Sequence, residues 1–159
     1  MTSRIGMLRI LAISLVALVM TIVPLPAVVD IGRPDWLLLV AIYWCLTAPG
    51  LAGLFYVWIC GLFMDGLAGT LIGEHALAFV LVGFITHRLQ LRMRIFPVWQ
   101  QAFTVLIMLA IYHFLLFWID GIIGHAAASW SRWLPVAVGG LFWPVLVALM
   151  DTTNRSLGR

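Results

Sequence analysis

The sequence predicts an all-α membrane protein, a single-domain bundle of six transmembrane helices with both termini cytoplasmic. Three observations predict it: very few charged residues, a series of uncharged runs near the length of a membrane crossing, and the way arginine is shared among the connections. Hydrophobic residues make up 64% of 159 and charged residues 9%, against roughly 25% charged in an ordinary soluble domain. A soluble fold of this size can bury a core, but it cannot coat that core with so few charges. Most of the surface must therefore meet lipid. No polar block is long enough to fold separately on either side.

The first expected span, about 8–28, follows Arg9 and is free of charge from Ile10 to Val29, roughly the 20 residues that cross a 30 Å core. Arg4 and Arg9 resemble the basic start of a signal peptide. Pro24 and Pro26 stand where a small-residue cleavage site would be expected, so the segment reads as a retained span.

The next uncharged run, Trp36 to Met64, would measure about 43 Å as one helix, too long to cross comfortably. Pro49-Gly50 breaks it. Two spans result, about 34–48 and 51–70, with a re-entrant pair that never crosses as the alternative. A turn at Gly73-Glu74-His75 leads to a short fourth span, about 75–90, whose Arg88 and Arg92 would reach toward headgroups. The fifth, about 98–120, is interrupted by His113. The sixth, about 132–150, contains Gly139-Gly140 and Pro144.

Charge decides the doubtful pair. With six spans and a cytoplasmic N-terminus, the inside receives Arg4, Arg9, Arg88, Arg92, Arg94, Arg155 and Arg159. The outside receives Arg33 and Arg132 with Asp30, Asp35, Glu74 and Asp120. That is the positive-inside bias. A single crossing by the second run would put Arg4 and Arg9 on the side opposite Arg88–Arg94. Trp36, Trp99, Trp130 and Trp133 fall at expected span ends, where amphipathic rings prefer the headgroup layer. Trp58 does not, and reads as packed between helices or facing lipid.

The net charge of +3 comes from nine arginines and no lysine. Codon bias accounts for that, with forked binding of lipid phosphates as the functional alternative. Cys45 and Cys60 lie in apolar runs and read as small buried hydrophobes, with no histidine at ligand spacing for a metal.

No pairing of nucleophile with base stands out. One glutamate, five aspartates and four histidines are scattered over different segments, without HExxH, GxSxG, a glycine-rich phosphate loop or CxxC. No catalytic residue, cofactor site or metal site is expected. Asp65 is the most informative position, since a carboxylate at that depth is costly and faces the bundle interior or water with a partner. It reads either as a partner- or ligand-contacting group, or as an aspartate near the outer interface that caps the following helix or pairs with an arginine. Gly69 and Gly73, four apart, permit close helix contact or a tight turn. His113 reads as hydrogen-bonded to a neighbouring helix, and His75 and His125 as solvated. Asp35, behind Pro34, complements the positive end of the second span, and a contact role for Arg33 is open. Arg88 and Arg92 share a helical face and read as a topology signal, with anionic lipid or a cytoplasmic partner as the other uses.

The segments Arg33-Pro34-Asp35-Trp36 through Tyr43-Trp44, Gly61-Leu62-Phe63-Met64-Asp65-Gly66 through Gly69 and Gly73-Glu74-His75, and Arg94-Ile95-Phe96-Pro97-Val98-Trp99-Gln100-Gln101 together resemble the rod shape-determining protein MreD family. The resemblance covers nearly the whole chain and rests on the order and spacing of these motifs. It implies a protein of the bacterial elongation machinery in the inner membrane, needed for lateral peptidoglycan synthesis and rod shape. The implied partner is a bitopic MreC-like protein. Through it the chain would connect to a transpeptidase, RodA and MreB filaments, with membrane lipid around it and no nucleic acid.

The family's fold is similar to that of the six-helix substrate-binding subunits of vitamin importers. A small-molecule-binding transporter subunit, with a pocket lined by Asp35, Asp65, Glu74 and Trp36, is thus the second function expected. Under the scaffold reading the partner-binding candidates are Arg33, Asp35, Asp65, Gly69, Gly73, Glu74, Arg88 and Arg92. Small residues around Gly61–Gly73 and at Gly139-Gly140 would pack against a partner's single helix.

Overall fold

A computed structural model describes residues 2–24, 26, 30–124 and 130–157, with backbone alone at 2–5 and 154–157. The described residues form six α-helices and no strand: α1 (Thr2–Ile22), α2 (Trp36–Thr47), α3 (Leu54–Ala68), α4 (Glu74–Met93), α5 (Val98–Ile123) and α6 (Leu134–Leu157), with a 3₁₀ turn at Trp130–Trp133 before α6. They overlap the six expected segments in order. Three stretches are long and apolar enough to cross a membrane: Glu74–Met93, Val98–Ile123 and Trp130–Thr153. The apolar stretches Gly6–Ile22, Trp36–Thr47 and Leu54–Ala68 are shorter.

The shortest helix is the centre of the bundle. Every residue from Leu37 to Leu46 of α2 is buried, as expected of a helix that is apolar all round. It touches α1, α3, α4 and α6, while α5 packs on α4 and α6. Twelve residues reach only about 18 Å at 1.5 Å per residue, less than the roughly 30 Å of a hydrocarbon core, and Thr47 at the C-terminal end is exposed. Irregular backbone is tolerated at that depth where neighbouring groups satisfy it.

Such neighbours are present. Arg94 Nε donates to Leu46 O at 2.8 Å and its Nη2 to Thr47 O at 3.2 Å. His87 Nε2 lies 3.0 Å from Ala52 O in the connection to α3. Tyr43 Oη donates to Asp151 on α6 at 2.6 Å.

Helix contacts occupy several of the glycines. A Cβ built on Gly61 would stand 2.4 Å from Ala76 Cα, so α3 meets the start of α4 backbone to backbone. A Cβ on Gly139 would meet Leu109 at 2.6 Å, and one on Gly140 would meet Leu106 at 3.0 Å. The glycines expected to receive a partner's helix at 61 and 139–140 are thus occupied by the protein's own α4 and α5. Large side chains instead form the outer surface, among them Leu8, Leu11 and Leu15 on α1 and Phe55 and Phe63 on α3.

Candidate functional site

The C-terminal ends of α1, α3 and α5 and the N-terminal ends of α2, α4 and α6 share one end of the bundle, here the Glu74 end. Asp65, in the last turn of α3, is 1% exposed. Its Oδ2 accepts from Gly73 N at 2.8 Å and Ala76 N at 3.3 Å, and its Oδ1 from His75 N at 2.7 Å. His75 Nδ1 lies 3.0 Å from the same Oδ1, and Thr70 Oγ1 donates to it at 3.4 Å. The carboxylate supplies acceptors to the orphan amides of the first turn of α4 from a different helix. Of the two readings of Asp65, the geometry carries the cap.

The connection between them is a turn that requires glycine. Gly69 has φ +64° and Gly73 φ +105°, and no other atom comes within 4 Å of a Cβ built at either. Backbone conformation, rather than close helix contact, accounts for both.

Beside this cap lies an open cavity of about 560 Å³. Asp35, Glu74, His75, Tyr112, His113, Asp120 and Arg132 line it, so α2, α4, α5 and the 3₁₀ turn each contribute. Asp35 stands at the N-cap of α2 without capping it. Its Oδ2 lies 2.8 Å from His113 Nε2 on α5. From the positive end of the α2 dipole its carboxylate thus reaches across the cavity to the histidine expected to bond a neighbouring helix. Asp120 is paired with Arg132. Glu74 is 5% exposed, and its side chain faces the cavity.

Of the candidates from sequence, Asp35, Asp65, Gly69, Gly73 and Glu74 converge on this end. Arg33 stands nearby, its Nη1 donating to Val23 O at 3.0 Å and to Asp30 at 3.3 Å. Arg88 and Arg92 lie toward the other end of α4, exposed, with Arg88 stacked 5.3 Å over the Phe84 ring. Trp36 and Asp65 do not line the cavity. Trp36 packs edge-on against Phe142 at 5.7 Å, and Asp65 is behind the wall.

His75 corrects the expectation of a solvated residue: it is buried and held by Asp65. His125 lies outside the described residues. Sequence reasoning missed Tyr112, Asp120 and Arg132 as wall residues. The signal available for the last two was an acid at the end of one apolar run and a base at the start of the next.

Comparison with known proteins decides the family. The model of the rod shape-determining protein MreD family matches residues 1–153. The chain belongs to the MreD family. It is 28% identical over 148 residues to the rod shape-determining protein MreD of Haemophilus influenzae, covering 93% of this chain and 91% of that protein. No solved structure matches it. The MreD match spans all six helices up to Thr153, so both the Asp65 cap and the cavity lie within the family's own domain. A role in rod-shape determination follows from membership. The family is named for cell shape rather than for a reaction.

Proposed function

We propose that this MreD-family chain is a non-catalytic inner-membrane scaffold of the rod elongation complex, crossing the membrane six times with both termini cytoplasmic and acting through a bitopic MreC-like protein. Membership of the MreD family over residues 1–153 carries the reading. Charge supports the orientation. Arg88, Arg92 and Arg94 gather at the end of α4 remote from Glu74, whereas Asp30, Asp35, Glu74 and Asp120 gather at the Glu74 end, which faces outward under the positive-inside bias. The outer surface supports a contact role, because large apolar side chains cover α1 and α3 while the polar groups turn inward.

Co-purification in mild detergent with the cognate MreC-like protein, followed by native mass spectrometry, tests the proposal. A defined complex is the expected result. A chain that elutes alone from cells that hold both proteins overturns the scaffold reading. Reporter fusions after residues 50, 72, 95 and 127 test the topology. Activity of a periplasmic reporter at 72 and 127, but not at 50 or 95, is expected.

A further inference from the structure

The cavity at the Glu74 end contains one acid that no described residue answers. Glu74 opens α4, with its backbone N–H donated to Leu71 O at 3.0 Å, and the residue is 5% exposed. Its side chain lines the 560 Å³ space, yet among the described residues no group donates a hydrogen bond to its carboxylate. The other acids at this end are matched: Asp65 by amides and His75, Asp35 by His113, Asp120 by Arg132. Tyr112 also lines the space, and no described residue bonds its hydroxyl. The carboxylate opens onto the cavity, and enclosing a charge there is costly unless a donor or counter-ion meets it. Its place in the first turn of α4, at the positive end of the helix dipole, offsets part of that cost.

Three features narrow what would offset that cost. The wall presents three carboxylates against a single guanidinium, whose Nη2 is engaged by Asp120 while its buried Nη1 has no partner among the described residues, so the balance of charge disfavours an anion. Among the described residues no group of three acids, histidines or cysteines converges closely enough to hold a metal ion. The volume falls in the range of roughly 300–1,000 Å³ of small-ligand sites, and Tyr112 is part of its lining. We infer that this cavity binds an organic cation, an alkylammonium or alkylguanidinium group, with Glu74 as its counter-ion and the Tyr112 hydroxyl as a hydrogen-bond partner. The group is carried either by a free solute or by a side chain of a partner protein.

Thermal melting of the full chain in mild detergent, followed by its tryptophan fluorescence, tests this. The probes are n-butylammonium, n-butylguanidinium and the neutral isostere n-butanol, at fixed ionic strength. Binding to the folded state raises the melting temperature in a saturable way. Saturable shifts with both cations and none with butanol are expected. Glu74→Gln should weaken the apparent affinity at least about tenfold, the loss expected when one partner of a buried charge pair is removed. Asp151→Asn, on the Tyr43 side of α6, should leave it unchanged. Equal shifts with butanol, no saturable shift, or an unaltered response in Glu74→Gln would each overturn the site.

If Glu74→Gln does not fold, photolabelling of the wild-type chain with a diazirine-bearing alkylammonium reads the same question. Labels on 70–75 and 112–120 uphold the site, and labels elsewhere overturn it. Repeating the titration on the complex with the MreC-like protein separates the sources. A lost shift assigns the cation to a partner side chain and a kept shift to a solute, and both uphold the site. That arm alone rests on the proposed partnership: a chain that binds the cations but never co-purifies keeps the cavity and loses the partner.

Discussion

Asp65 Oδ1 stands 2.7 Å from the backbone nitrogen of His75 and 3.0 Å from its Nδ1. A single carboxylate at the end of α3 thereby holds both the main chain and the ring of a residue in the first turn of α4. The contact comes ten positions along the chain, after a turn closed by Gly69 and Gly73.

Replacing Asp65 should therefore act on stability first. Asp65→Ala strands buried donors, each costing about 1–3 kcal/mol when its acceptor is removed. We expect a total loss of about 3 kcal/mol. Asp65→Asn keeps one acceptor oxygen and should lose about half as much. Unfolding of the purified protein in detergent checks both. A melting temperature equal to wild type in Asp65→Ala would refute the capping role.

The contact of His113 with Asp35 joins α5 to the start of the central helix at 2.8 Å. In a double-mutant cycle of Asp35→Asn and His113→Gln, a coupling of about 1 kcal/mol is expected, since contacting residues couple by 0.5–3 kcal/mol. Additive losses in the unfolding assay would mean that the two side chains do not support each other.

Gly61 and Gly66 share a helix but not a surrounding. Gly61→Ala places a methyl group 2.4 Å from Ala76 Cα, where only backbone movement can relieve it. A loss of about 1–3 kcal/mol is expected for such overpacking. Gly66→Ala meets nothing within 4 Å and should be neutral or stabilising by up to about 1 kcal/mol. Comparative melting of the two variants checks the contrast, and equal effects would contradict the α3–α4 contact.

At the other end of the bundle, Arg94 donates to two carbonyls that close α2. Because Arg94 is exposed, Arg94→Ala should cost about 1 kcal/mol, below the usual value for a charge-assisted bond. Arg94→Lys should recover little, as an ammonium cannot fork across two acceptors in the plane of a guanidinium. Full recovery by lysine in the melting assay would assign Arg94 to charge alone.

Much of the architecture was legible from composition and punctuation. So few charges force lipid contact whatever the packing. Pro49-Gly50 breaks the run from Trp36 to Met64 because proline cannot continue the hydrogen-bond ladder, and α2 and α3 do end and begin around it. The motif order pointed to the family that the comparisons show. At the site, the sequence narrowed Asp65 to two roles, and its neighbours in the chain supplied the amides that it caps.

What it could not reveal was which apolar surface faces protein and which faces lipid, because both surroundings are apolar and hydropathy reads them alike. Nothing in Leu37–Leu46 distinguishes the most enclosed helix from the exposed leucines of α1; only the packing of four helices around it makes the shortest segment the centre. The same holds for the cavity. Glu74 and Asp120 are scattered charges in the chain, and they become walls of one space only once α4 and α5 lie side by side. Local chemistry determined that helices form and where they stop. The pairing of polar groups was decided in three dimensions, since a group surrounded by apolar matter must find its partner wherever the fold brings one within hydrogen-bond reach.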